Sequence, residues 1–202
     1  EYAQLVCEKL GVEPEFIEIN WDTKEVNLNA KDIDCIWNGF TITEEREEQL
    51  DFTTPYILNK QVVVIRKADA DKYKDTATLK EATLTAEKAS AGESAIQADE
   101  NLKAAAYVES DVQTSALMAV KALTADACVV DFTVALAMVG NGDYADLMVI
   151  DGLDLAVEEY GIGFRTDSDL VAKVNDITAE LISDGTLEAL AVKYDLRDNL
   201  IK

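Results

Sequence analysis

Asn38-Gly39-Phe40-Thr41-Ile42-Thr43-Glu44-Glu45-Arg46, NGFTITEER, is the point where an apolar run ends and a polar, helix-opening segment begins. The residues before it, Ile33-Asp34-Cys35-Ile36-Trp37, read as a short strand. Gly39 lets a ligand approach the main chain with no Cβ in the way. Thr43 is placed as an N-cap, with Glu44 and Glu45 in a first helical turn where the helix dipole favours acids. Arg46 falls one turn into that helix and can point back over its N-terminus. Main-chain N–H groups near Thr41, the Thr41 hydroxyl and a planar guanidinium together make a receptor for a small carboxylate, Arg46 supplying a bidentate contact. The competing reading is an exposed Arg46 paired with a nearby acid.

Outward from this stretch the chain alternates between helical and extended patterns. Residues 2–10, YAQLVCEKL, have helical spacing and stop at Gly11; residues 12–19, VEPEFIEI, alternate like a strand; residues 24–30 read as a helix. Beyond Pro55, residues 61–66, QVVVIR, form a nearly continuous apolar strand, and a polar stretch at 69–80 suggests a boundary. A short strand follows near 82–86, then Lys88-Ala89-Ser90-Ala91-Gly92-Glu93, a helix, and a further helix over 112–123 leading into Ala127-Cys128-Val129-Val130. A helix at 132–139, strands at 147–150 and 160–165, and helices at 169–183 and 186–194 complete the chain. In the first closing helix Leu170, Val174, Ile177 and Leu181 share one face. Strands alternating with helices predict α/β architecture with largely parallel pairing.

One internal echo stands out. Asp32–Asn38 and Ala125–Asp131 each follow an apolar helix, and aligning Cys35 on Cys128 sets Asn38 against Asp131, each a polar residue where a strand ends. Ligands of open α/β sheets bind beyond the carboxyl ends of strands, so two similar half-units predict two lobes facing one cleft. Asp131 can accept hydrogen bonds from a ligand ammonium, or cap the helix that begins at Phe132. Ser90-Ala91-Gly92 repeats the small-residue and hydroxyl arrangement of Gly39 and Thr41, and reads equally as a turn with Ser90 as N-cap. Trp37 either packs in the core or faces the cleft, and its indole N–H needs a partner if buried.

Composition narrows the function classes. The formal charge is −22, with 18 Lys and Arg against 40 Asp and Glu, which argues against nucleic acid and anionic membranes as partners. The excess acid solvates the surface or attracts cationic ligands. There is no histidine, which removes the usual general base and the usual zinc ligand, and no metal or cofactor is implied. Cys7, Cys35 and Cys128 lie far apart among apolar residues and read as buried free thiols. No apolar run approaches the ~20 residues of a transmembrane helix.

The order of motifs resembles the extracellular solute-binding proteins of polar amino-acid ABC importers. The residues that carry the resemblance are Ile33–Arg46, Asp51-Phe52-Thr53-Thr54-Pro55-Tyr56, Ala89–Glu93, Val129-Val130-Asp131, Glu159-Tyr160-Gly161-Ile162-Gly163 and Asp184-Gly185-Thr186-Leu187. The resemblance implies a two-lobed type II periplasmic-binding-protein fold, with residues 1–66 plus 160–202 in lobe one and 67–159 in lobe two. It implies that Arg46 binds the amino acid's α-carboxylate, helped by Thr41 and main chain near Gly39, that Ser90-Ala91-Gly92 closes over the same carboxylate, and that Asp131 holds the α-ammonium. Trp37 and Asn38 would then contribute to side-chain selectivity. The family usually has glycine where this chain has Ala89, and it begins with a strand and an aromatic-bearing loop ahead of the first helix, so lobe one is expected to lack its first strand. The implied protein is non-catalytic and exported, its signal peptide removed, in the periplasm or as a cell-surface lipoprotein. Its partners would be a free amino acid and a membrane permease, and the missing strand invites edge-paired or strand-exchanged oligomers. The alternatives on the same scaffold are a dehydratase acting on a small carboxylic acid, which needs a further acid or base, and a ligand-sensing receptor domain.

Overall fold

The computed structural model describes residues 1–202. In chain order the elements are α1 (Tyr2–Leu10), α2 (Lys24–Ala30), β1 (Cys35–Ile36), α3 (Glu44–Glu47), β2 (Leu50–Phe52), β3 (Ile57–Arg66), α4 (Thr76–Leu79), β4 (Thr83–Glu87), α5 (Ala91–Ala98), β5 (Ala106–Ser110), α6 (Gln113–Lys121), β6 (Ala127–Asp131), α7 (Phe132–Met138), β7 (Leu147–Tyr160), β8 (Gly163–Arg165), α8 (Leu170–Ser183) and α9 (Thr186–Lys193). They cluster into two units: Glu1–Ile19, Thr23–Leu58 and Glu158–Lys202 form the first, and Asn20–Asp22 with Asn59–Val157 the second. Residues 59–66, which the sequence reading put in lobe one, cluster with the second unit because Gln61–Ile65 of β3 pair with Ala127–Asp131 of β6.

The first unit holds a three-stranded antiparallel sheet in the order β1-β8-β2. Its core is built from α1, β8, α8 and α9, with Val6, Ile162, Phe164, Val174, Ile177, Leu181 and Leu187 packed together. The left-handed Gly11 (φ 72) ends α1 as expected, its N–H capping the Glu8 carbonyl. Residues 12–19 are not a strand. Their alternation finds no neighbouring strand to bond with, Pro14 has no N–H to offer, and Phe16 stays 69% exposed.

The second unit holds a five-stranded sheet in the order β5-β4-β6-β3-β7. β4 runs parallel to β5 and β6, while β3 runs antiparallel to β6, so the expected largely parallel pairing is instead mixed. The unbroken apolar run in β3 has a simple cause: Val63 and Ile65 pack on one face with Leu84, Ile96 and Val129, and Val62 and Val64 on the other with Leu117, Val120 and Val130. Both faces are covered. The strand expected over 147–150 continues through to Tyr160, because β7 is an edge strand whose outer groups tolerate the acids and Gly152 that looked like a break.

The internal echo has a structural basis, one residue out of the register that the cysteines suggest. In the first unit Arg165 Nη1 donates to the carbonyls of Leu28 and Ile33, and Nη2 to Asp34. In the second, Arg66 Nη1 donates to Val120 and Ala125, and Nη2 to Asp126. Each arginine ends a strand and ties the end of a helix to the start of the next strand. Ile33-Asp34 therefore matches Ala125-Asp126, so Cys35 corresponds to Ala127 and the alignment of Asn38 with Asp131 is corrected to Gly39 with Asp131. Only Cys128 of the three thiols is fully buried, and Cys7 and Cys35 are half-buried. Burial, reinforced by Asp34, pushes the Cys35 thiol up to about 12.

Candidate functional site

The predicted site residues fall into two groups, one in each unit. In the first, β1 gives way to a loop that turns through two left-side conformations, Asn38 at φ 145 and Gly39 at φ 56. Glycine enters such regions freely; at Asn38 the main chain is strained, and strain of this kind collects at functional sites. The chain then lies against residues 159–161: Thr41 bridges Tyr160, Ile42 N–H donates to Glu159 O at 2.9 Å, and Gly161 N–H donates to Phe40 O at 3.1 Å. Thr43 caps α3 as expected, its Oγ1 accepting from Arg46 N–H at 3.2 Å.

Arg46 is held from two sides. Nη1 donates to the Thr41 carbonyl at 2.6 Å, and the guanidinium carbon stands 4.7 Å above the Phe40 ring. Phe40 itself is completely buried and packs against Phe52 with ring centres 5.0 Å apart. A fixed, planar cation beside the buried Thr41 suits a carboxylate. Trp37 takes the core option: its ring meets the edge of Tyr2 at 5.0 Å, its indole N–H reaches the Tyr56 hydroxyl, and Tyr2 bonds Thr178.

In the second unit β4 ends at Glu87, and two residues further on Ala89 adopts a left-handed φ of 57. Ser90 then caps α5, its Oγ accepting from Glu93 N–H at 3.2 Å, while Glu93 Oε2 accepts from Ala89 N–H at 2.8 Å. Ala91 opens the helix and Gly92 is buried. A Cβ at Gly92 would sit 3.0 Å from Val129 O and 3.1 Å from Gln61 Oε1, so this segment lies against the middle of β6 and β3. Because a non-glycine residue at φ 57 is strained, Ala89→Gly is expected to stabilise the protein by about 0.5–1 kcal/mol. Thermal unfolding checks this: an unchanged or lowered Tm would mean that the loop carries no strain.

Asp131 ends β6 at 6% exposure. It stands at the N-terminus of α7 but its carboxylate makes no capping bond there. Its partners are three amides: Gln61 Nε2 at 2.5 Å, Asn59 Nδ2 at 3.2 Å and Gln113 Nε2 at 2.6 Å. The sequence reading missed all three. Two carried a signal, since Asn59 and Gln61 are polar residues with period two at the head of an apolar strand, and both are buried. Gln61 lies directly across the ladder from Asp131. A buried carboxylate whose hydrogen-bond donors are all neutral is suited to receive a cation.

Residues 1–197 match the bacterial extracellular solute-binding proteins, family 3. The chain belongs to this family. It is 29% identical over 195 residues to the L-cystine-binding protein TcyJ of Escherichia coli (strain K12), a match covering 96% of this chain and 72% of that one. It is 28% identical over 199 residues to the arginine-binding extracellular protein ArtP of Bacillus subtilis (strain 168), covering 96% and 75%. Among solved structures, Tv2483 bound to L-arginine superposes with a TM-score of 0.90 at 31% identity, covering 99% of this chain and 81% of that one. The family is extracellular, and no helix here is long and apolar enough to cross a membrane.

Proposed function

We propose that this chain is the substrate-binding component of an amino-acid ABC importer and captures a polar amino acid. Arg46 takes the α-carboxylate, with the Thr41 hydroxyl, main chain at Gly39 and the Ser90-Ala91-Gly92 segment as further donors, and Asp131 takes the α-ammonium. The observation that carries this reading is chemical complementarity. One group of residues ends in a cation fixed by Thr41 and Phe40, and the other in a buried anion supported by neutral amides alone. A free amino acid carries both of the complementary charges. The names of the relatives, which specify arginine and cystine, favour ligands of this class. The ligand-loaded protein is read by a membrane permease, and the chain acts outside the cytoplasmic membrane, free in the periplasm or lipid-anchored at the cell surface.

A thermal-shift panel against the proteinogenic amino acids and L-cystine tests this. A ligand at a hundred times its dissociation constant stabilises by roughly 2.7 kcal/mol. A shift for one or a few amino acids supports the reading; a flat panel at millimolar ligand would count against it.

A further inference from the structure

Gln113 makes a two-point contact with one residue. Its Nε2 donates to Asp131 Oδ2 at 2.6 Å, and its Oε1 accepts from the main-chain N–H of Asp131 at 2.9 Å. A primary amide is planar, so gripping the main chain with one end and the carboxylate with the other leaves the Asp131 side chain little freedom to turn. Asn59 adds a second brace, since its Nδ2 donates to Asp131 Oδ1 while its Oδ1 accepts from Thr133 N–H at 3.3 Å. Gln61 supplies the third donor from directly across the ladder.

An ionised carboxylate offers about four acceptor positions. Amides take three at Asp131, and their geometry fixes where the fourth one points. Satisfying a buried group would need no charge at all: an asparagine or an apolar residue would leave the strand end cheaper to bury. Three donors converging on a charged group, with none of them charged, preserve a negative site for something outside the chain.

We propose that Gln113 is a positioning residue of the amino-acid site, fixing the Asp131 carboxylate so that its remaining acceptor meets an α-ammonium. This rests on the reading that Asp131 binds the ammonium. Gln113 itself touches no ligand in this scheme, and it acts through Asp131. Its loss should therefore be felt by ligands that carry an α-ammonium and ignored by those that lack one.

The experiment is calorimetric titration of the whole chain with L-arginine and with 5-guanidinopentanoate, the same molecule without its amino group. If the panel selects another amino acid, that one and its α-deamino acid take their place. Wild type, Gln113→Leu and Gln113→Met are compared, Met keeping the length of the side chain but no N–H. The expected result is a roughly ten-fold or greater loss for the amino acid, of the size of a hydrogen bond to a charged group, against less than about two-fold for the deamino acid. In an Asp131→Asn background the same substitutions should no longer separate the two ligands. Equal losses for both ligands, or no loss for either, overturn the proposal and make Gln113 a structural residue. Wild type that binds both ligands equally well overturns the assignment of Asp131 to the ammonium, and wild type that binds no amino acid overturns the functional reading; the proposal falls with either.

Discussion

Arg46→Ala is expected to weaken amino-acid binding by roughly thirty-fold to a few thousand-fold, the range for removing one partner of a buried, hydrogen-bonded charge pair. The size follows from how the guanidinium is held. Its five N–H donors form a rigid fork, and the Thr41 carbonyl and the Phe40 ring fix the plane of that fork before any ligand arrives. A carboxylate then gains two parallel charge-assisted bonds without immobilising a flexible side chain. Arg46→Lys keeps the charge but loses the fork, so an intermediate loss is expected. The unliganded protein should lose some stability as well, since the contact over Phe40 is worth about 0.5–1 kcal/mol and the bond to the Thr41 carbonyl goes with it, offset in part by the helix propensity of alanine. Titration of both variants decides the matter. Binding of Arg46→Ala within about three-fold of wild type would move the carboxylate contact elsewhere.

How far such a site was legible depended on whether its cause was local. Helix α1 with its stop at Gly11, helix α2 and the Thr43 cap all follow from spacing within a few residues, and each was readable. The place of Arg46 in α3, just behind that cap, follows for the same reason. Strands depend on what lies beside them, and there the pattern misled in both directions. Residues 12–19 alternate but have no neighbour, whereas residues 151–157 look broken by Gly152 and acids yet continue β7. The echo between the two halves was real but was read from the wrong residues. The cysteines have no structural role in it, while Arg66 and Arg165, each bound to the loop before a strand, set its register.

The amide cradle around Asp131 lies at the far end of this scale. Asn59, Gln61 and Gln113 come from two separate elements, β3 and the first turn of α6, and each alone is an ordinary polar residue. Only the antiparallel register that sets Gln61 across from Asp131 gives them a common target. Trp37 shows the complementary loss. Its two possible environments were equally compatible with the sequence, and the choice was made by Tyr2 and Tyr56, which pack on it from distant parts of the chain.

Gly163→Ala is expected to be the most destabilising single-methyl change in the first unit. A Cβ at this position would lie 2.5 Å from Phe40 Cε1 and 2.9 Å from Cδ1, well inside contact distance. Phe40 has nowhere to retreat, being fully buried between this strand and Phe52. Overpacking of a rigid ring costs about 2–3 kcal/mol, which for a chain of this length lowers Tm by roughly 4–12 °C. Gly161 offers a contrast. Its Cβ would meet Ile42 Cδ1 at 2.9 Å and Phe52 Cδ1 at 3.0 Å, both looser than the 2.5 Å contact at Gly163 and the first of them the free end of a flexible side chain, so Gly161→Ala should cost less. The effect of Gly163→Ala should also reach the ligand, because the ring it displaces is the one that Arg46 stands on. Thermal unfolding with and without the bound amino acid reads both consequences. A Tm within about 2 °C of wild type would show that Phe40 has room to move, and the rigid support assigned to Arg46 would then have to come from the Thr41 carbonyl alone.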